Sequence, residues 1–297
     1  MKIGMIGLDT SHCPAFTRIL NDSTHDHHLP GASVVSAYPG GSDLFSLSRD
    51  RVQGFTEQLQ GEFGVKIEDS IAAVVEAVDA IFLESVDGRQ HLAQFQEMAV
   101  GKPIFIDKPF VVSTADAREL IALAEQTNTP IMSCSSLRYA AGIANLLEPG
   151  EAVYSCEAFG PAAILADYPG LFWYGIHSAE ILISIMKTGC QQVQATVYDD
   201  LDVIVGQWAD GRSGVVRGTR FEKNEFGCVV HAAGGVKIGQ PAASPPGYFS
   251  LLEQVLPFFQ TGQSPIPLAE TFEIVAFLEA ANQSRAQAGA TIALEKL

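Results

Sequence analysis

The stretch KIGMIGLDTSHCPAF places Gly7, Asp9, Thr10, Ser11 and His12 where a short apolar run gives way to a helical pattern. That is the position from which a dinucleotide-binding domain grips a diphosphate. In such a turn the first of three glycines makes the bend, the second lets backbone approach the pyrophosphate, and the third lets helix and strand pack closely. Gly7 keeps only the first task, because Asp9 and His12 stand at the other two positions. Three readings are open. In one, the helix N-terminus and the hydroxyls of Thr10 and Ser11 still donate to a phosphate while Asp9 turns aside to cap the helix. In another, Asp9 and His12 belong to an altered ligand site with weak or absent dinucleotide affinity, since a carboxylate beside a diphosphate costs about a few kcal/mol when partly shielded. In the third they hold a metal, but no third ligand is evident near them, and no metal site is expected.

An acidic residue about 20 positions beyond such a turn normally holds the adenosine ribose. Here the stretch is VVSAYPGGSD, with Tyr38 near that place and no carboxylate. Pro39, Gly40, Gly41 and Ser42 either form a simple turn or offer amides and a hydroxyl to a phosphate, which would favour NADP over NAD. The HDHH run holds His25, His27 and His28 around Asp26 but lies beside Pro30 and Gly31, the setting of a solvated loop.

Two later motifs carry a family likeness. The segment GKPIFIDKPF, with Asp107-Lys108-Pro109 at the end of an apolar run, resembles the E-K-P motif of the glucose–fructose oxidoreductase, inositol dehydrogenase and rhizopine-catabolism (Gfo/Idh/MocA) family, with Asp for Glu. The segment YGIHSAEIL resembles that family's D-x-G-x-H-x-x-D pattern, retaining Gly175 and His177 with Glu180 for the last Asp. In DAIFLESVDGRQHLAQF, His91 matches a family His that follows a Pro-Asn pair. The likeness runs along nearly the whole chain. It implies a Rossmann domain, an α+β domain whose open sheet supplies substrate contacts and commonly packs against another subunit, and NAD- or NADP-linked chemistry on a sugar, cyclitol or related polyhydroxylated molecule.

The resemblance also assigns roles. Lys108 would face the crevice at the strand ends as the electrostatic and orienting group, and His177 would be the base, because alcohol oxidation needs both a proton acceptor and a stabiliser of the developing alkoxide. Glu180, one turn on, would hold the His177 imidazole in one tautomer. Cofactor contacts are expected from Gly7, Asp9, Thr10, Ser11, His12 and Tyr38, and further along from Glu84, His91, Asp107 and Lys108. Substrate contacts are expected from Asp167, Trp173, Tyr174 and Glu180. The family's catalytic Asp falls on Trp173, and its Pro-Asn pair on Asp87-Gly88. A non-redox, ligand-binding member of the same fold is the alternative.

The elements that must position these residues are legible in outline. Up to residue 136, short apolar runs at Lys2–Ile6, Ser33–Ala37, Ala80–Glu84, Ile104–Ile106 and Ile131–Ser133 alternate with helical patterns, which predicts a doubly wound parallel sheet. From residue 137 to 297, alternating runs such as VIVGQWADG and SGVVRGTRFE predict an α+β domain with a largely antiparallel sheet, followed by two late helices, FSLLEQVLPFF and PLAETFEIVAFLEAANQSRAQ. Those strands are apolar on both faces, more than one helical layer would cover, so a homo-oligomer through this domain is expected.

Composition excludes several classes. A net charge of −16 opposes nucleic acid and anionic membrane surfaces as partners, leaving a small molecule. Five scattered cysteines without a C-x-x-C pair argue against a disulfide framework and point to a reducing, cytoplasmic setting. Lys2 leads straight into an apolar strand with no cationic leader, and no apolar run nears the ~18 residues of a membrane span.

Overall fold

Short runs rich in Ile, Val and Phe become the buried strands of a parallel sheet. The computed structural model describes residues 1–297. Strands β1 (Lys2–Ile6), β2 (Ser33–Tyr38), β3 (Lys66–Ile67), β4 (Ala80–Leu83), β5 (Ile104–Ile106) and β6 (Ile131–Ser133) lie in the order β3-β2-β1-β4-β5-β6. All neighbours are parallel. Burial on both faces explains the continuous apolar runs, with Met5, Ile6, Phe82, Leu83, Phe105 and Ile106 fully enclosed. Helices α1 (His12–Asn21), α2 (Ser46–Phe63), α3 (Ile71–Ala77), α4 (His91–Met98) and α5 (Thr114–Gln126) connect them. Winding reverses between β1 and β4, where Ile6 pairs with Leu83. The next residues, Gly7 and Glu84, therefore leave the sheet side by side at the switch point where such folds bind ligands.

The second sheet is built from β7 (Val153–Pro161), β8 (Cys190–Val197), β9 (Leu201–Trp208), β10 (Ser213–Thr219), β11 (Gly227–Ala232), β12 (Gly235–Gly239) and β13 (Ile292–Ala293). Its order is β12-β11-β7-β10-β9-β8-β13. Only β7 and β10 run parallel; the other pairs are antiparallel. Helices α6 (Gly175–Met186) and α8 (Leu268–Ala286) cover one face. Alternate residues such as Ile204, Gly206 and Trp208 are buried there, while Val203, Val205 and Val215 opposite stay partly open.

The chain divides into one unit of residues 1–111, 115–134 and 248–266 and a second of residues 112–114, 135–247 and 267–297. Helix α7 (Gly247–Thr261) therefore belongs with the first sheet, whereas its sequence position suggests the second. The reason is aromatic packing: Phe259 meets Phe82 of β4 with ring centroids 5.1 Å apart, and Tyr248 meets Phe16 of α1 at 5.5 Å. All five cysteines are buried and free. No helix is long and apolar enough to cross a membrane.

Candidate functional site

The turn after β1 bends through Gly7, whose φ is +83°. Its N–H donates to Tyr38 O at 3.0 Å and the Leu8 N–H donates to Pro39 O at 2.7 Å, so the turn rides against the end of β2. Asp9 is fully buried: Oδ1 accepts the Val86 N–H at 2.8 Å and Oδ2 accepts the Ser48 hydroxyl at 2.6 Å. Burial pushes its carboxyl up against the pull of those two bonds. Asp9 thus turns aside, but toward β4 and α2 rather than onto α1 as a cap. Helix α1 begins at the exposed Ser11, which makes no capping bond, and its first turn carries no acid. The first amides of α1 are already engaged, the His12 N–H with Thr10 Oγ1 at 3.5 Å and the Cys13 N–H with Thr10 O at 3.2 Å, and Pro14 has no N–H to offer. What this turn offers a diphosphate is the exposed Ser11 hydroxyl and an Asp9 carboxylate held aside by Val86 and Ser48.

Beyond β2, the Pro39–Ser42 loop is a packed turn. The Ser42 N–H donates to Ser48 Oγ at 2.7 Å and its hydroxyl to Asp87 Oδ2 at 2.6 Å, so neither is turned to a phosphate. Gln90 Nε2 holds Gly41 O at 2.9 Å, and a Cβ on Gly40 would lie 3.3 Å from the Gly7 Cα. Burial would raise the Asp87 carboxyl, yet Arg89 and Ser42 outweigh it and hold it below the usual range. Tyr38 is half-buried and contributes its carbonyl to Gly7. His91 is fully buried, with Nδ1 2.9 Å from Phe110 O and Nε2 2.7 Å from Ser85 O. Both ring nitrogens are committed to main chain, so His91 braces the β4–α4 loop instead of reaching a ligand.

The structure brings His12, Glu84 and Asp107 together, a grouping that sequence reasoning missed. Leu83 pairs with Ile106 on adjacent strands, so the next residue of each, Glu84 and Asp107, emerges side by side. His12 in the first turn of α1 meets both, with Nδ1 3.0 Å from Asp107 Oδ2 and 3.5 Å from Glu84 Oε2. Glu84 is entirely enclosed and Asp107 nearly so. Burial would lower the His12 imidazole, but Asp107 and then Glu84 lift it to about 9. Burial and the Asp107 charge push Glu84 up to about 7, while Asp107 is lowered because His12 and Lys108 outweigh its own burial. The acid after each apolar run was visible in sequence; its distance from His12 was not. Lys108 follows directly and is also buried. Thr10 is buried nearby, its hydroxyl 3.5 Å from the His12 N–H.

In the second unit His177 is the third residue of α6, its Nδ1 2.6 Å from Ser135 Oγ. Ser135 Oγ also accepts the Leu137 N–H at 3.1 Å, which fixes the hydroxyl. When Oγ accepts from Nδ1–H as well, Nε2 keeps its lone pair, as a base requires. Glu180 does not hold the imidazole: it is buried against the Arg138 guanidinium, which also reaches Glu270 Oε2 at 2.8 Å. Trp173 is buried edge-on to Tyr168 and Tyr174, so the open aromatic face belongs to Tyr174, which also stacks on Phe226 at 6.4 Å. Asp167 is half-buried upstream of them. The His25–His28 run makes local turns, with His25 Nδ1 accepting the His27 N–H at 3.2 Å and the His28 ring bonded to Ile19 O.

Residues 1–134 match the family model described as an oxidoreductase family with an NAD-binding Rossmann fold. No curated protein sequence matches the chain significantly. Among solved structures, the myo-inositol dehydrogenase from Lactobacillus casei in complex with NAD(H) and myo-inositol superposes with a TM-score of 0.79 at 16% identity, covering 100% of this chain and 97% of that one. The myo-inositol 2-dehydrogenase from Lactobacillus plantarum gives 0.76 at 14%, covering 99% of each chain. An oxidoreductase from Agrobacterium radiobacter, in complex with NAD+, L-tartaric acid and magnesium, gives 0.74 at 16%, covering 99% of this chain and 98% of that one. At such identities the likeness establishes the two-sheet fold. Over its first 134 residues the chain matches the Gfo/Idh/MocA oxidoreductase family, and over nearly its whole length it shares the two-sheet fold of these dehydrogenases.

Proposed function

We propose that the chain is an NAD- or NADP-linked oxidoreductase acting on a sugar, cyclitol or related polyhydroxylated small molecule. The observation that supports this reading is the withdrawal of Asp9: the turn's one carboxylate is bonded to Val86 and Ser48, so the turn aims no carboxylate of its own toward a diphosphate. Gly7 and the Thr10 and Ser11 hydroxyls would hold the diphosphate. The bound nicotinamide would supply the hydride acceptor. Lys108 would stabilise the substrate oxygen as its proton departs, and His177, steadied by Ser135, would take that proton. Tyr174 would offer an aromatic face to a sugar ring.

The stitched Pro39–Ser42 loop favours a second reading, a ligand-binding member without redox turnover. Ser42, Asp87 and Gln90 hold that loop on the Gly7 turn, over ground an adenosine would share. Calorimetric titration separates the two. The first reading expects binding heat from NAD+ or NADP+ at millimolar concentration, and silence from both would leave the second. Asp9→Asn is expected to alter that affinity by less than about threefold, because the charge it removes is already turned away. A gain of about tenfold, or about 1.4 kcal/mol, would show instead that the carboxylate opposes the diphosphate.

We also infer a homo-oligomer through the outer face of the second sheet. Tyr154 is 59% exposed, Val236 62% and Ile238 70%, on strands whose neighbours add Val203, Val205 and Val215. Such a face is more apolar than a monomer keeps in water. Light scattering at micromolar concentration should give a multiple of the chain mass, and a monomer would contradict the inference.

A further inference from the structure

We propose that His12, Glu84 and Asp107 form a divalent transition-metal site at the carboxyl ends of β4 and β5. Their donor atoms all lie within 4.8 Å of one another. The two distances from His12 Nδ1, 3.0 Å to Asp107 Oδ2 and 3.5 Å to Glu84 Oε2, match the edges of a coordination polyhedron. With bonds of about 2.1 Å, cis ligands stand about 3.0 Å apart in an octahedron and about 3.4 Å apart in a tetrahedron.

The second observation is that the converging atoms are unsatisfied. His12 Nδ1, Asp107 Oδ2 and both Glu84 oxygens are buried without a partner at hydrogen-bonding geometry. An imidazolium–carboxylate pair would serve His12 Nδ1 and Asp107 Oδ2 but would leave both Glu84 oxygens without a close donor, an arrangement that costs more than a bonded one. A cation at the centre of the three serves every one of these atoms except an outward-facing carboxylate oxygen. Two carboxylates supply the charge a divalent ion needs, with Lys108 offsetting one of them. The imidazole selects Zn2+, Mn2+, Fe2+ or Co2+ over Mg2+ or Ca2+, which prefer all-oxygen shells. Three protein ligands leave a position for water or a substrate oxygen, as in catalytic metal sites. The rings of Phe16 and Tyr248 flank His12 at 5.4 Å and 4.8 Å and fix its orientation. Asp9, which sequence pairs with His12, points away to Val86 and takes no part. This proposal does not rest on dinucleotide binding.

The test uses the full chain, stripped with chelator and titrated with Co2+ at about pH 8, where binding must displace the proton from His12 and therefore tightens as pH rises. We expect a visible d–d absorption that saturates at one equivalent and is displaced by Zn2+. Glu84→Gln and Asp107→Asn should each weaken Co2+ binding by about 100-fold or more, since even outer-shell losses cost about 10- to 100-fold. Both remove a buried charge rather than an apolar contact, and circular dichroism identifies whichever variant keeps its fold. Absence of the cobalt band in the wild-type protein, the result an imidazolium–carboxylate pair alone would give, overturns the site. So does undiminished binding in a folded variant, which would place the metal elsewhere, for example on His25–His28. Nucleotide calorimetry on the same protein reads the proposed function separately.

Discussion

Gly7→Ala is expected to cost the first unit most of its stability. A side chain at φ +83° stores about 1–3 kcal/mol of backbone strain. The added Cβ would also stand 2.2 Å from Ser85 Oγ, 2.4 Å from its N and 2.5 Å from its Cα. The hydroxyl can rotate away, but main-chain atoms of a buried loop cannot, and overpacking of this kind costs about 1–3 kcal/mol or more. Together these take a large share of a typical total of about 5–15 kcal/mol. Hydrogen exchange at β1 and β4 would register the loss. Gly31 supplies the control, since its φ is +94° but nothing lies within 4 Å of its would-be Cβ. Gly31→Ala should therefore show the strain without the collision. If Gly7→Ala were no worse than Gly31→Ala, the close contact between the turn and the β4–α4 loop would be wrong.

Arg138→Met should be nearly as severe in the second unit. Arg138 lies between Glu180 and Glu270, and all three are buried. Removing the cation leaves two carboxylates in a poorly solvated space, which costs about 3–5 kcal/mol and lowers the melting temperature by roughly 10 °C. Burial already pushes the Glu180 carboxyl up even with Arg138 in place. A carboxyl whose folded value exceeds its unfolded value binds more protons when folded, so its ionisation destabilises the fold as pH rises between the two. Without Arg138 that rise steepens, and the deficit of the variant should shrink on acidification. Adding Glu180→Gln and Glu270→Gln should recover much of the loss at neutral pH. A deficit that ignores both pH and those substitutions would mean that Arg138 acts through packing alone. The anchor also bears on function, because Ser135, the partner of His177, lies three residues before Arg138 in the same turn.

Much of the first sheet was legible. Its strands are apolar on both faces, so β1, β5 and β6 end where their apolar runs end, and β2 and β4 shift by one residue. The docking of α7 was not legible, because an apolar helical stripe states that a face must be covered without saying which sheet covers it. The contact of Phe259 with Phe82 answers that only in three dimensions. Glu180 shows the limit of spacing arguments: one turn from His177 on a helix, it could face the imidazole, yet Arg138 from a distant turn claims it. Ser135, 42 residues before His177, takes the place expected for Glu180.

From residue order alone come the parallel and largely antiparallel sheets, the altered glycine turn, and the acids that follow two apolar strands, because local periodicity and residue type suffice for each. Where those acids point was decided by tertiary structure. Strand pairing sets Glu84 beside Asp107, the start of α1 brings His12 to both, and Val86 with Ser48 draws Asp9 away from them. Each outcome is a competition among partners far apart in the chain, settled by which buried polar atoms the closed fold leaves within reach.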